Sequence, residues 1–229
     1  MKDLHATPLR TIRSFVIREG RFTRAQKKAL EKHWSSLGIE IESLSAHNFD
    51  DYFPKKQPLI LDIGFGNGDS LISLAQQRKD LNFVGVEVYR PGIGAIFQKI
   101  NQLAIQNIRI INADVLNVFS KISDSTLLGV LAWYPDPWPK KRHHKRRLIQ
   151  EEFLLEAVRV IQPDGYLHLA SDWQPYVEFM EEHVIPISQL SLQSCAEHPL
   201  GIERPSTRFE KRGLRKGHVV SDLIYQIRK

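Results

Sequence analysis

From residue 59 onward, short apolar runs alternate with stretches whose apolar positions recur at helical spacing. The runs at 59–63, 82–88, 108–112, 127–133 and 166–170 predict strands, and strand-like runs recur near 188–194 and 221–227. Helices are predicted over 69–78, 91–104, 147–160 and 174–183. Upstream, a helix is expected near 23–37. Thr23 is its N-cap, Ala25, Leu30 and Trp34 are apolar at helical spacing, and Gly38 is its stop. Residues 46–58, with Asp50, Asp51, Pro54 and Pro58, read as a linker. Two parts follow: a basic arm, helix and linker over 1–57, and an α/β domain over 58–229. Strands that alternate with helices argue for a mostly parallel sheet covered on both faces. In such sheets the ligand lies beyond the carboxyl ends of the strands, at the point where strand order reverses. That rule gathers Gly64–Asp69, Glu87, Asp114 and Tyr134–Lys140 around one crevice.

The composition is that of an ordinary soluble domain, with 42% apolar and 25% charged residues among 229. The single cysteine, Cys195, excludes a disulfide within the chain, and no Cys/His set has zinc spacing, so no metal is assigned. A reducing, cytoplasmic setting is expected. No apolar run approaches the ~18 residues of a membrane span. The first twenty residues show no signal-peptide pattern.

Charge changes the picture more. The chain carries +6, yet residues 1–28 alone hold eight basic and two acidic residues (+6), and 140–147 hold six basic residues and no acid (+6), which leaves −6 elsewhere. Two basic blocks on a mildly acidic body suit a polyanion. A solvated charged face is the plain alternative, and anionic lipid fits less well because the second block has no apolar helix face beside it.

The first crossover reads Asp62-Ile-Gly64-Phe-Gly66-Asn-Gly68-Asp69. It is one residue shorter than the G-x-G-x-x-G of a dinucleotide loop and has acids at both ends. Carboxylates repel a pyrophosphate but suit a cationic ligand such as a sulfonium amino acid. Glu87 ends the second strand of the domain, where a carboxylate takes both ribose hydroxyls of an adenosine. Asp114 ends the third, where an acid accepts from an adenine amino group. The layout resembles the class I S-adenosylmethionine-dependent methyltransferases over about residues 58–229, which implies a Rossmann-like, mostly parallel seven-stranded sheet.

The most distinctive stretch is Tyr134-Pro-Asp136-Pro-Trp138-Pro-Lys140. Three prolines fix the backbone. Asp136 and Trp138 are thereby presented at the crevice, Trp138 as a face for stacking on a base, and Lys140 opens the basic run. A rigid surface loop with Trp138 packed as core is the plain alternative. Pro-Asp-Pro-Trp-x-Lys-Lys-Arg-His resembles the signature of the bacterial tRNA (guanine-N7-)-methyltransferases. Three further segments agree. Arg13-Ser-Phe-Val-Ile-Arg18-Glu-Gly20-Arg21 with Gln26 is similar to that family's N-terminal arm, and Ala170-Ser-Asp172-Trp173 to its segment after the fifth strand. Thr207-Arg208-Phe209-Glu210-Lys-Arg212-Gly213, with Gly217-His218 and Asp222-Leu223, is similar to its C-terminal motif. Asp62 stands where the family usually has Glu, and Tyr134 where Phe is usual.

The resemblance implies methyl transfer from S-adenosylmethionine to N7 of a tRNA guanine, in the variable loop where the family acts. It implies that Asp62, Gly64, Gly66, Gly68, Glu87, Asp114 and Asp136 line the cofactor site and that Asp136 is catalytic. It implies that Lys140, Asp172 and Thr207, Arg208, Phe209 and Glu210 bind substrate, and that Arg142, His143, His144, Lys145, Arg146 and Arg147 touch RNA. The protein would be a monomer or homodimer. The residues' own chemistry agrees, since guanine presents N1–H and an amino group that one carboxylate, Asp172 or Glu210, accepts together. For Thr207–Glu210 a capping turn before the last strand is the alternative. Two other functions stay open on the residues alone: a methyltransferase of this fold acting on a small molecule or protein, and a non-catalytic RNA-binding module.

Overall fold

The computed structural model describes residues 13–16, 22–44, 49–193, 201 and 204–229. Most of the first basic block, residues 17–21 of the arm motif and Cys195 lie outside the described residues.

The apolar run Leu59–Ile63 forms β2 and is buried on both faces, as a strand with helices above and below it must be. Alternate residues feed opposite layers. Ile60 joins a core built with Leu71, Ile93, Ile96 and Phe97, while Leu61 joins one built with Val118, Phe153, Leu154 and Tyr176. The strands are β1 (Gly38–Ile39), β2, β3 (Asn82–Val86), β4 (Ile108–Ile111), β5 (Leu127–Trp133), β6 (Ile161–Ser171), β7 (Leu190–Leu192) and β8 (Ser221–Ile227). They form one eight-stranded sheet in the order β1-β4-β3-β2-β5-β6-β8-β7. Pairing is parallel from β1 through β6, and β8 runs antiparallel between β6 and β7.

The mostly parallel sheet is as expected, with one strand more than the seven anticipated. The addition is Gly38–Ile39, which pairs with Ile110–Ile111 and buries Ile39. It follows α1 (Arg24–Leu37), whose N-terminus is a capping box of Thr23 and Gln26. Helix α1 packs on α3 (Arg90–Gln102) at a close approach, for a Cβ at Gly94 would lie 2.4 Å from the Gln26 carbonyl oxygen. The other helices are α2 (Asp69–Gln77), α4 (Val115–Phe119), α5 (Glu151–Val160), α6 (Gln174–Val184) and α7 (Arg208–Leu214). Two of them, α4 and α7, are additions to the helices that periodicity predicts. No helix among the described residues is long and apolar enough to cross a membrane. None of the described residues form a cluster of three or more His, Cys, Asp or Glu placed for a metal ion.

Candidate active site

Strand order reverses at β2, whose two neighbours are β3 and β5. The chain leaves β2 through Gly64, Gly66 and Gly68, all at positive φ (71°, 59° and 78°). Their reasons differ. A Cβ on Gly68 would strike Ile96 at 2.4 Å, so that glycine lets α2 and α3 close up. A Cβ on Gly64 or Gly66 would meet nothing within 4 Å, so these two leave their backbone open to a ligand. A cleft of about 810 Å³ opens there, lined by Asp62, Gly64, Gly66, Tyr89, Trp133 and Thr207 among others.

Asp62 and Asp69 line this cleft, and two further acids near it that do not line it, Glu87 and Asp114, are bonded to the backbone. Glu87 is 8% exposed. Its Oε2 accepts from the Gly66 N–H at 2.9 Å, and its Oε1 from those of Val88 and Tyr89 at 2.8 and 2.9 Å. Three of its roughly four lone-pair positions are thus used to brace the glycine loop. Burial pushes its carboxyl up, the three amides pull it back, and Asp136 adds repulsion. Asp62, 3% exposed near the end of β2, is pushed up to about 7 by burial and then by Glu87. Asp114 caps α4, its Oδ1 accepting from the Leu116 N–H at 3.2 Å. Asp62, Glu87 and Asp136 therefore form an electrostatically linked set of carboxylates beside an open glycine wall. A sulfonium nucleoside fits this donor set, and a pyrophosphate does not.

The Pro-Asp-Pro loop follows β5. It begins and ends in the left-handed region, at Tyr134 (φ 56°) and Trp138 (φ 44°). Each such residue costs about 1–3 kcal/mol and persists only where its surroundings impose it. Here two arginines impose it. Arg147, 3% exposed, donates from Nε to the Pro137 carbonyl at 3.0 Å and lies over Phe179 and Tyr176, 4.4 and 5.0 Å from the ring centres. Arg204, at the other end, reaches the Tyr134 hydroxyl at 3.5 Å and lies 5.6 Å over the rings of Trp133 and Tyr134. The loop presents Asp136 to a second pocket of about 200 Å³, shared with Asp172, Arg212, Gly213 and His218. Arg212 lines both cavities, so the two adjoin.

Helix α7 closes this second pocket. Thr207 and Glu210 form its capping box, so the capping alternative holds for these two side chains. Both Glu210 oxygens also accept from Arg204, at 2.9 and 3.0 Å. Arg204 further donates to Asp222 on β8 at 2.6 and 3.2 Å, and Asp222 takes the buried His168 of β6 at 2.7 Å. Asp172 is held differently. Its Oδ2 meets His218 Nδ1 at 3.1 Å, and a Cβ on Gly213 would lie 2.3 Å from the same atom. The glycine of α7 is what admits the carboxylate.

The basic run also divides. Lys140, Arg142 and Lys145 are exposed, and Lys141–Arg146 form a 3-10 helix. Arg146 lies 4.8 Å over the Trp138 ring, His143 meets that ring edge-on, and the indole N–H donates to the Ser14 carbonyl at 3.0 Å. Trp138 is therefore a platform for the run, where the sequence suggests a face for a base. His144 Nε2 accepts from Arg147 at 3.1 Å and, with it, supports the loop. The sequence places Arg147 at RNA; it is buried instead, because its guanidinium is stacked and bonded under the loop. The side chains of Arg208 and Phe209 lie outside the described set. Arg204 escapes sequence reasoning, since a lone arginine before a capping box carries no signal of its partners.

Fold and cleft together define a methyltransferase. Among solved structures, the chain resembles the 16S rRNA methyltransferase KamB at TM-score 0.58 and 16% identity, covering 80% of this chain and 95% of that one. A family model described as "Putative methyltransferase" matches residues 56–223. The chain is 43% identical over 229 residues to the tRNA (guanine-N(7)-)-methyltransferase of Alkalilimnicola ehrlichii, covering 98% of this chain and 96% of the relative. It is 42% identical over 221 residues to that of Shewanella amazonensis, at 95% and 92% coverage. The chain belongs to the tRNA (guanine-N(7)-)-methyltransferase family.

Proposed function

We infer that this protein transfers a methyl group from S-adenosylmethionine to N7 of a guanine in tRNA, and that the guanine lies in the variable loop. The observation that carries the assignment of residues is the meeting of two cavities at Arg212, one floored by glycines and carboxylates, the other holding Asp136 and Asp172. When bound, S-adenosylmethionine supplies an electrophilic methyl on a positive sulfur. Asp62, Glu87 and Asp136 supply a negative field for that charge, and Gly64 and Gly66 give close backbone approach. Guanine N7 has a free lone pair and no proton to lose, so the protein needs no general base. Its task is to orient the base and to offset the positive charge that grows on it. Asp136 is placed for both. Asp172, fixed by His218 and Gly213, offers a carboxylate to the N1–H and amino edge. With Glu210 engaged by Arg204 and its own cap, this reading puts guanine selection on Asp172. The target base must leave its stack to enter, and Lys140, Arg142, Lys145 and Arg146 are exposed or half-exposed beside the loop to hold the backbone phosphates.

In this reading residues 58–229 are the methyltransferase domain, residues 1–57 an arm and brace, and the setting is cytoplasmic. Methylated N7 makes the guanosine cationic and its glycosidic bond labile. Unmodified tRNA incubated with the protein and labelled cofactor, then reduced and treated with aniline, is expected to break at one variable-loop guanine. Label on an exocyclic nitrogen, a ribose hydroxyl or an adenine, without an aniline-sensitive guanine, overturns the assignment to N7.

A further inference from the structure

The segment 204–218 holds a third basic block that the charge balance of the chain as a whole conceals. Residues 208–216 contain five basic residues (Arg208, Lys211, Arg212, Arg215, Lys216) and one acid, Glu210, a net of +4. Glu210 is already matched by Arg204, at 2.9 and 3.0 Å. Lys211, Arg212, Arg215 and Lys216 are all exposed, and none has an ion pair or side-chain hydrogen bond among the described residues. Arg78, Lys99, Arg159 and Arg204, by contrast, each have a carboxylate partner.

Their place is specific. Arg212 lines both cavities, Lys211 and Arg215 line the larger, and Lys216 lines the smaller beside Asp136 and Asp172. Helix α7 carries Lys211 and Arg212, and Arg215 and Lys216 follow it in the turn. Its first turn is capped by Thr207 and tied by Arg204 to Asp222, and Gly213 seats it against Asp172. The anchored helix and the turn after it thus place Arg212 and Lys216 at the pocket that receives the base and Lys211 and Arg215 at the adjoining cleft, while Lys140–Arg146 follow the Tyr134–Pro137 segment that forms another wall of that pocket.

We propose that Lys211, Arg212, Arg215 and Lys216 form a second RNA-backbone contact, which takes phosphates on the side of the extruded nucleotide away from the Lys140–Arg146 run. The partner is a ribose-phosphate strand entering the pocket. A single carboxylate on a bound cofactor would occupy one of these cations, not four, and Lys216 does not line the larger cleft. The proposal rests on the tRNA assignment above and deepens it.

The test is the full chain with Lys211, Arg212, Arg215 and Lys216 changed to Gln, measured for tRNA affinity across a salt series and for S-adenosylmethionine affinity by calorimetry. Removing one phosphate-binding cation is expected to flatten the log-affinity against log-salt slope by roughly 0.7–0.9, so the fourfold variant drops it by about 3–4. For Lys216→Gln, whose side chain does not line the larger cleft, cofactor affinity is expected within about threefold of wild type, under half a decade on the scale where 1.4 kcal/mol is tenfold. Lys216→Gln alone, expected to flatten the slope by roughly 0.7–0.9, serves if the fourfold variant does not fold. An unchanged slope in both variants overturns the proposal. So does a tenfold loss of cofactor affinity with the slope intact, which assigns the cations to the cofactor. A wild-type chain with no salt-dependent tRNA binding sinks the tRNA reading itself, a separate and recognisable outcome.

Discussion

Asp62 is buried near the end of β2 and Asp222 is half-buried beside the end of β6, and their carboxyls move in opposite directions. Asp62 rises to about 7 under burial, with Glu87 repelling it. Asp222 is also pushed up by burial, but His168 and then Arg204 overcome that and hold it near 2. The half around the glycine loop sets Asp62 against Glu87 and braces Glu87 with backbone amides. The half around the Pro-Asp-Pro loop carries its own cations, with Arg147 and Arg204 stacked on aromatic rings and bonded to the loop. Under the function proposed above, the carboxylates of the first half face a positive ligand, and the exposed cations beside the second face a polyanion.

The largest expected effect comes from removing a built-in cation. Arg204→Met takes this arginine from Glu210 and Asp222, which keep the helix cap and His168, and breaking a largely buried ion pair costs about 3–5 kcal/mol. Chemical denaturation should show that loss; a change below about 1 kcal/mol would mean the two halves are not held differently. Next, Asp136→Asn keeps the shape and removes the charge. Turnover should fall about 10²–10³-fold with cofactor affinity little changed, and near-normal turnover would leave Asp136 as a loop former only.

Protonation offers a third test. The folded carboxyl of Asp62 lies above its unfolded value, so its contribution is present below about pH 4 and is lost as pH rises to about 7. The apo protein should therefore lose roughly 1 kcal/mol per pH unit across that window, a loss that Asp62→Asn removes. Asp222 has the reverse sign, its contribution disappearing as pH falls from about 4 to 2. A wild type and Asp62→Asn with parallel melting curves from pH 4 to 7 would erase the contrast. Glu87→Ala should weaken S-adenosylmethionine binding by about 1.5–3 kcal/mol and lower the melting temperature, since three amides lose their acceptor. Loss of stability without loss of affinity would make Glu87 a brace alone. The smallest effect separates two neighbours. Arg142→Gln should flatten the tRNA salt slope by roughly 0.7–0.9, whereas Arg147→Gln should lower stability and leave the slope nearly unchanged.

The same contrast governs what can be read from sequence. Strand β5 (Leu127–Trp133) falls at its expected bounds, and β2 (Leu59–Ile63) likewise, because fully buried parallel strands write an unbroken apolar run. The glycine loop and Glu87 are visible because backbone geometry demands those residue types at fixed offsets. Strand β1 is not, since two residues with one buried side chain make no period. Helix α7 reads at most as a turn, because its composition is mostly polar and its capping box is only four residues long. Arg147 and Arg204 are illegible for a different reason. A cation in a basic run looks exposed, and Arg204 draws on Tyr134, Glu210 and Asp222, positions that only the tertiary fold brings together.

The antiparallel insertion of β8 between β6 and β7 has a consequence for how the protein is made. Strand β6 pairs with β8 across six residues from Tyr166 to Ser171, and β8 carries the Asp222 that anchors Arg204. On the ribosome, β2 through β6 and the glycine loop emerge first and can lay down a parallel sheet. The pocket for the base cannot close until Ser221–Ile227 has left the exit tunnel and slid in beside β6. A nascent chain paused after residue 200 would lack Asp222 and the part of 204–218 that lines both cavities, so neither could take its final shape until this late segment had docked.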